Sequence, residues 1–252
     1  MKKFFALTLA VLMSFSLAMA AEAGGDFIEV EGVVYPNGQN PNQMRRAVVM
    51  DAYRYLAEQT GDLYISSNTT VQQACVDDDE VKARVEKVVR GAKLISVTRD
   101  SEGAFHAIVR LYEHGGAGSL ASAVLKEDVV VEDFPPPKFT NIVSSNYTGL
   151  IIDCRGKNLP KAIAPAIKSA DGTTIYAYKN IGYQAAVSRG MISYSTSVDS
   201  GVERAGASPL TIKAVSISDG CDVVVSAQDA DKILAANKST NFLNNCAVVF
   251  VR

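Results

Sequence analysis

The sequence predicts an α+β protein built from two mixed α/β domains. In the first half, the residue patterns follow the order β-α-β-α-β-β, which predicts a two-layer sandwich. In the second half, an apolar run at 150–152 stops at polar residues and a glycine, as a strand buried on both faces does. Between the halves, residues 115–140 contain glycine, serine and three consecutive prolines, which predicts a linker between domains at 24–114 and 141–252. A long surface loop within one domain is the alternative interpretation of the linker residues.

Residues 1–23 have the pattern of a cleaved signal peptide. Lys2 and Lys3 precede a short apolar segment at 4–17, and the small residues at 18–23 fit two cleavage positions. The apolar segment is shorter than the about 20 residues that a membrane-spanning helix needs. No cysteine stands at either cleavage position, so a lipid anchor has no acceptor there. We therefore expect a periplasmic or secreted protein.

The charge of the mature chain limits its classes of partner. The leader carries two of the 25 basic and one of the 27 acidic residues, which leaves 23 basic and 26 acidic residues, a net charge of −3. Because the chain also has no basic cluster, this balance argues against nucleic acid or anionic lipid as a partner. After signal cleavage, no second apolar segment of the sequence is long enough to span a membrane. We expect a protein partner in the cell envelope.

The elements of the first domain follow from residue spacing. Residues 26–35 alternate as a strand does, and apolar residues at 40–59 recur at the three- and four-residue steps of one helix face. A second strand with a serine- and threonine-rich polar face is predicted at 63–71. After another helix, residues 93–99 and 104–113 flank a turn and predict a hairpin that closes the domain.

Three consecutive acidic residues, Asp77 to Asp79, precede the second helix of this domain. Acidic side chains cap the start of a helix and interact favourably with its dipole. A calcium loop is the alternative, but the alternating ligands, the glycine and the closing glutamate of such a loop are missing. We therefore predict capping here, and we predict neither a metal site nor a cofactor for the chain.

Four short segments of the first domain carry a family resemblance. They are Glu31-Gly32, Asp51-Ala52 with the alanines around it, Ile65-Ser66-Ser67-Asn68-Thr69, and the closing hairpin. Over residues 26–114 the chain resembles the Lpp-type outer-membrane lipoprotein family (the 20-kDa lipoprotein-like domain), which is similar to the N-terminal domain of flagellar assembly protein T. The resemblance implies a small α+β envelope module that is not an enzyme, and some relatives support surface or flagellar structures. The chain departs from the family in lacking the cysteine that carries the lipid.

The second domain is predicted in less detail. Asp171-Gly172 lies between two apolar runs and predicts a hairpin within 166–178. Residues 210–217 predict a strand. Residues 179–206 contain scattered glycine, serine and tyrosine, and their spacing predicts no element.

The C-terminal region predicts a βαβ unit. A helix at 229–238 lies between continuously apolar strands at 221–226 and 247–251, which is typical of a sheet covered on both sides. Together with the opening strand near 150, this arrangement looks like C-terminal halves that accompany Lpp-type domains in other exported proteins.

The four cysteines allow a disulfide, because their number is even and the expected compartment is oxidising. Cys221 and Cys246 each begin an apolar strand. If the helix between them joins these strands as parallel neighbours, the two residues lie about 4.8 Å apart, within the Cα range of a disulfide. We therefore predict this pair, with two buried free thiols as the alternative. The cysteine spacing matches no zinc pattern.

Few residues offer catalytic chemistry. His106 lies on the polar side of a strand and His114 at the edge of the linker, and such histidines are more often incidental than catalytic. The strongest local candidates are Asp153, Cys154 and Arg155 at the end of a buried strand. Arg155, with Asp153 beside it, suits the binding of a carboxylate or phosphate, and Cys154 becomes a nucleophile if Arg155 lowers its pKa. The alternative is that Asp153 and Arg155 pair locally while Cys154 packs in the core.

The predicted leader and the shortage of catalytic groups favour an exported, non-enzymatic binding or scaffolding protein of the cell envelope, and the resemblance to the Lpp-type family implies an association with outer-membrane or flagellar assembly. A cysteine-dependent envelope enzyme centred on Cys154 is one alternative. A small-ligand binding protein with its site at the domain interface is the other, because such crevices commonly hold ligands. No catalytic residue is assigned.

Overall fold

The computed structural model describes residues 26–36, 38–139 and 146–252 of the chain. The predicted signal peptide at 1–23 lies outside these residues. Helices and sheets occur in both halves, so the predicted α+β class is confirmed. Within the described residues, no helix combines the length and the apolar character needed to cross a membrane.

An antiparallel sheet of three strands organises the first half. β1 (Phe27–Val34) pairs with β5 (Phe105–Tyr112), and β5 also pairs with β4 (Lys93–Arg99). The last two strands form the predicted hairpin. Asp100 closes its turn, because the carboxylate accepts a hydrogen bond from the Ala104 amide at 2.8 Å.

Helix α1 (Pro41–Asp62) covers one face of this sheet. The Asn40 side chain caps the helix by accepting a hydrogen bond from the Gln43 amide at 3.0 Å. The buried face of α1 has the predicted spacing and consists of Met44, Val48, Ala52, Leu56 and Thr60. Gly32 of β1 lets the helix approach, because a Cβ there would lie 2.6 Å from the Ala52 amide nitrogen.

The predicted second strand at 63–71 does not join the three-stranded sheet. Instead, β2 (Tyr64–Ser66) and β3 (Thr69–Thr70) form a separate two-stranded hairpin. The Thr70 side chain then caps α2 (Val71–Asp77). The predicted β-α-β-α-β-β sandwich is therefore wrong in this element, because serine, asparagine and threonine favoured a turn and a helix cap over a continuous strand.

Helix α3 (Asp79–Arg90) begins at the acidic run and confirms the capping prediction. The Asp78 carboxylate accepts hydrogen bonds from the Glu80 and Val81 amides at 2.8 and 3.2 Å. Gly91 caps the other end. The apolar face of α3 consists of Val81, Val85 and Val89.

Part of the predicted linker is buried. Helix α4 (Leu120–Val124) lies within residues 115–140, and Leu120 has no exposed surface. Arg84 of α3 donates a hydrogen bond to the Ala123 carbonyl at 3.0 Å and holds α4 against the first half. These residues therefore do more than space the two halves, because they contribute apolar side chains to the core.

A parallel sheet of four strands lies at the centre of the second half. Its order is β10 (Pro209–Lys213), β6 (Gly149–Asp153), β13 (Val248–Val251) and β9 (Ser193–Ser195). The predicted burial of β6 on both faces is confirmed, since its residues 149–152 are all buried. One face of the sheet packs on helix α7 (Val198–Ala205), and the other faces the main core.

A second, mixed sheet shows why the predicted βαβ unit is wrong. Its strands are β11 (Ser216–Ser218), β12 (Asp222–Val225), β7 (Ile167–Ser169) and β8 (Thr174–Tyr176), and the last two form the predicted hairpin. Helix α8 (Ala227–Thr240) leads from β12 to β13, but β13 belongs to the parallel sheet. The strands that flank α8 are therefore in different sheets. Residues 210–217 are likewise divided, with β10 in one sheet and β11 in the other.

The segment 179–206, for which the sequence predicted no element, contains short pieces of structure. Helices α5 (Tyr178–Ile181) and α6 (Tyr183–Arg189) precede β9, and α7 follows it. Three glycines with positive φ end these helices: Gly182, Gly190 and Gly206. Helices of four to eight residues have too few turns to show a clear periodicity, so the pattern was unreadable.

The two halves share one apolar core and exchange backbone hydrogen bonds. The Ile163 amide donates to the Tyr64 carbonyl at 2.9 Å, and the Ala164 amide donates to the Ile65 carbonyl at 2.7 Å. One cluster of buried side chains extends from β1 to β13. The separation into domains at 24–114 and 141–252 stays a prediction.

Candidate functional site

A cleft of about 760 Å³ lies beside β9, the edge strand of the parallel sheet. Its walls come from β9, from α7, from the end of α6 and from the turn before β13. Asp26 and His114 line it where β1 begins and β5 ends. The cleft therefore combines residues of both halves of the chain, as the interface alternative of the sequence analysis expects of a ligand site.

Strand pairing brings three polar side chains together at this end of the cleft. Phe27 pairs with Tyr112, so Asp26 and Glu113 lie opposite each other at the end of the β1–β5 ladder, and the Glu113 amide donates to the Asp26 carbonyl at 2.9 Å. His114 follows directly. One ligand atom of each of Asp26, Glu113 and His114 lies within 4.8 Å of those of the other two. We call these three residues the floor triad.

The carboxylates of the floor triad are partly shielded from water. Glu113 is only 1% exposed, and Lys161 Nζ lies 3.1 Å from its Oε1. Burial raises the pKa of Glu113, and the charge of Lys161 opposes that increase. Burial likewise raises the pKa of Asp26, against the opposing charges of Lys161 and Arg204. The site therefore holds two carboxyl groups whose charged forms are stabilised mainly by one ammonium group.

His114 contributes a neutral imidazole. Burial lowers its pKa to about 4, and the nearby Arg204 charge acts in the same direction. Its ring lies against Gly190, where an added Cβ would be 2.7 Å from Nε2, and it also interacts with the backbone of Ala186. Nδ1 is buried and has no hydrogen-bond partner. A buried nitrogen without a partner is unusual, so this atom is a candidate for contact with a bound group.

Arg204 lines the cleft and connects two of its walls. It donates to three backbone carbonyls, from Nε to Cys246 at 2.8 Å, from Nη1 to Arg189 at 2.9 Å and from Nη2 to Gly190 at 2.5 Å. Because its donors are used in this way, Arg204 fixes the turn before β13 against the end of α6. Hydroxyl groups face the rest of the cleft, on Ser193, Ser195, Thr196 and Ser200.

Asp153 and Arg155 lie at the carboxyl end of β6, outside the cleft lining. Arg155 donates to both carboxylate oxygens of Asp153, at 2.9 Å from Nε and 2.7 Å from Nη2. This hydrogen-bonded pair lowers the pKa of Asp153 to about 2. This geometry agrees with the alternative prediction that Asp153 and Arg155 pair locally, because the Arg155 guanidinium group binds the Asp153 carboxylate two residues away.

Cys154 packs in the core next to this pair. It is 1% exposed, and burial raises its pKa to about 12, with the charge of Asp153 acting in the same direction. A buried thiol at this pKa is protonated at neutral pH, so it lacks the thiolate that a nucleophile requires.

The predicted disulfide between Cys221 and Cys246 is absent from the structure, in which both thiols are free and buried. The neighbouring-strand geometry behind the prediction is wrong, because Cys221 precedes β12 in the mixed sheet and Cys246 precedes β13 in the parallel sheet. Cys221 Sγ instead donates to the Ser67 carbonyl at 3.4 Å. The two cysteines therefore pack in different parts of the core.

The two histidines have different environments. His106 lies on the open face of the first sheet, where Nδ1 is 2.7 Å from Glu31 and Nε2 is 3.2 Å from Asp100. His114 lines the cleft, whereas its position in the sequence favours an incidental role. The sequence feature that points to His114 is the pair Glu113-His114 directly after a strand. This pair indicates a site only together with Asp26, which lies almost ninety residues earlier.

Part of the second half is similar to a known domain family. Residues 149–252 match the family model described as Treponema pallidum Tp0624, second domain. The match begins at β6 and ends with the chain, so it covers the parallel sheet and most of the cleft lining but neither Asp26 nor His114. No curated protein matches the chain.

Proposed function

We propose that the protein is an exported, non-enzymatic binding protein of the cell envelope that holds a small polar ligand in the cleft beside β9. The observation that carries the proposal is a cleft of about 760 Å³ lined by hydroxyl and charged groups from both halves. This volume falls within the range of small-molecule sites, about 300–1,000 Å³. The predicted signal peptide supports export.

The chemistry of the lining favours a hydrophilic ligand. Six hydroxyl-bearing residues and Asn245 line the cleft and supply hydrogen-bond donors and acceptors, and Arg189 and Glu203 add one charge of each sign. Such a lining suits a molecule with several polar groups, such as an amino acid, a short peptide or a sugar. Ser195 and Ser200 already hydrogen-bond each other. An apolar ligand would remove water from the polar groups that have no such partner, which costs free energy.

The rival proposal, an enzyme that uses Cys154, has weaker support. Its nucleophile would be a buried thiol with a pKa of about 12, and it lies outside the cleft lining. The resemblance of residues 26–114 to the Lpp-type family supports a place in the envelope. Because of that resemblance, the proposal also includes a protein partner in the envelope, near outer-membrane or flagellar assemblies.

The proposal is tested by thermal unfolding of the mature protein with amino acids, dipeptides, mono- and disaccharides and dicarboxylates, each with EDTA and with added Zn²⁺. A ligand present at 100 times its Kd stabilises the folded state by about 2.7 kcal/mol. For a chain of this size, each kcal/mol raises Tm by about 2–4 °C. We expect at least one class to raise Tm by several degrees.

A variant that fills the cleft provides the control. Ser193→Trp places an indole in the cleft lining without removing any described side-chain hydrogen bond of Ser193. Ser101→Trp, in the exposed turn between β4 and β5, is the matched substitution elsewhere. The shift should disappear in Ser193→Trp and persist in Ser101→Trp. If no compound raises Tm, or if Ser193→Trp leaves the shift unchanged, the proposal fails.

A further inference from the structure

We propose that the floor triad, Asp26, Glu113 and His114, binds a divalent transition-metal ion, with Zn²⁺ as the preferred ion. The sequence predicts no metal site here, because Asp26 is far from the adjacent pair Glu113-His114 and the three residues form no known spacing pattern. The inference builds on the proposed function, since the ion would lie at one end of the same cleft. It concerns a distinct ligand, however, and can fail separately.

The first argument is distance. The three ligand atoms lie within 4.8 Å of one another. Zinc binds imidazole nitrogen at about 2.0–2.1 Å and carboxylate oxygen at about 2.0–2.2 Å, so two ligands of one ion are at most about twice that distance apart. The bound of 4.8 Å is slightly larger than this limit, so the ligands must approach each other by a few tenths of an ångström to bind one ion. The backbone already holds Asp26 and Glu113 in position through the bond between the Glu113 amide and the Asp26 carbonyl.

The second argument is the orientation of the imidazole. Nε2 of His114 is the ring nitrogen nearest to residue 190, and it lies beside the backbone at the end of α6. The ring also interacts with the backbone of Ala186, and Nδ1 is buried without a hydrogen-bond partner. A histidine that ligates a metal commonly donates its other ring N–H to a backbone carbonyl, which fixes the tautomer. The arrangement leaves the Nδ1 lone pair for the ion.

The third argument is charge. The two carboxylates together balance the charge of a divalent ion. Lys161 opposes a cation, but its Nζ contacts one oxygen of Glu113, Oε1, and a carboxylate offers a second oxygen to a metal. Three protein ligands leave a coordination position open, and because Asp26 and His114 line the cleft, water or a polar ligand can fill it.

The donor types decide the metal class. One imidazole with two carboxylates suits Zn²⁺ and neighbouring transition metals. Ca²⁺ prefers six to eight oxygen ligands, and Mg²⁺ usually keeps several waters and avoids imidazole. Ca²⁺ is therefore the matched negative control among ions.

The experiment is a competition titration of the tag-free, EDTA-stripped mature protein with Zn²⁺ against a chromogenic chelator. We expect one equivalent to bind. Asp26→Asn, Glu113→Gln and His114→Gln should each weaken binding by at least about tenfold, because even the loss of an outer-shell partner of a metal ligand costs 10–100-fold. His106→Gln removes the other histidine and should leave the affinity unchanged.

The structural readout separates ligand loss from misfolding. Co²⁺ in place of Zn²⁺ reports coordination through its visible spectrum, and circular dichroism checks the fold of each variant. Asp26→Asn is the decisive variant if either substitution at 113 or 114 fails to fold, because Asp26 lies outside the strands. Failure to bind one equivalent of Zn²⁺, equal binding of Ca²⁺, or full affinity in folded Asp26→Asn would overturn the inference. Ligand-induced shifts in EDTA would then still support the cleft as a binding site.

Discussion

His114 lies against Gly190 so closely that a Cβ at position 190 would be 2.5 Å from Cδ2 of the imidazole. Gly190 also has a φ of 72°, which residues with a side chain rarely adopt. Glycine at the end of α6 therefore sets the position of the histidine that lines the cleft.

The substitution Gly190→Ala should destabilise the protein through both effects. With a φ of 72° and a ψ of 151°, Gly190 lies close to a backbone region that is nearly restricted to glycine. An alanine there costs about 1–3 kcal/mol, and displacement of His114 adds to this cost. Gly172→Ala is the matched control, because Gly172 has a φ of 88° but nothing within 4 Å of an added Cβ. Urea unfolding measures the loss of unfolding free energy in Gly190→Ala and in Gly172→Ala. Equal losses of unfolding free energy would contradict the proposed contact between residue 190 and His114.

Removal of Lys161 should expose the cost of burying Glu113. Lys161→Met leaves a carboxylate that is 1% exposed without its ammonium partner. We expect a loss of about 1–3 kcal/mol at neutral pH in EDTA. Breaking a fully buried ion pair costs about 3–5 kcal/mol of unfolding free energy. We expect a smaller loss here because Lys161 is 35% exposed.

The double variant Lys161→Met/Glu113→Gln completes a thermodynamic cycle. It should recover most of the stability lost in Lys161→Met, since a neutral amide no longer needs the ammonium group. Additive losses in the urea experiment would mean that the two side chains do not interact in solution.

His106 should give the stability of the protein a pH dependence. Hydrogen bonds with Glu31 and Asp100 raise the pKa of His106. The protonated form is therefore favoured in the folded state, and its contribution is fully present below the unfolded pKa of about 6.5 and is lost as pH rises through the folded value. His106→Gln should remove this decrease between pH 6 and 8 in urea titrations. A variant that keeps the wild-type slope would show that another group causes it.

The four cysteines should be free in the mature protein. Alkylation under denaturing, non-reducing conditions, followed by mass spectrometry, should add four labels. In the native state, Cys75 should react faster than Cys154, because Cys75 is partly exposed whereas Cys154 is buried. Two missing labels at Cys221 and Cys246 would restore the predicted disulfide, and rapid native labelling of Cys154 would support the rival enzyme.

Local signals predicted the elements whose residues interact within a short stretch of chain. The capping of α3 by Asp78 and the Asp171-Gly172 hairpin depend on neighbours a few residues away, and both are confirmed. The buried strand β6 was also readable, because burial on both faces requires a continuous apolar run. The βαβ prediction failed because the same continuous run does not say which sheet a strand joins.

The candidate site could not be predicted from neighbouring residues either, because it depends on contacts between distant segments. Asp153, Cys154 and Arg155 are adjacent in sequence and attracted attention, yet their strongest contacts are with each other or with the core. Asp26 and His114 have no shared pattern, and they meet only because β1 and β5 pair antiparallel. A register shift of one residue would have separated them.

Residue spacing by itself predicted the α+β class, the three longest helices of the described residues (α1, α3 and α8) and the β4–β5 and β7–β8 hairpins, because each depends on composition or on neighbours along the chain. Tertiary structure alone decided the division of the C-terminal strands between two sheets, the burial of residues 120–125, the free state of Cys221 and Cys246, and the meeting of Asp26, Glu113 and His114. These features depend on pairing between distant segments. Which segments pair depends on the free energy of packing the whole chain. It therefore cannot be predicted from a short stretch of sequence.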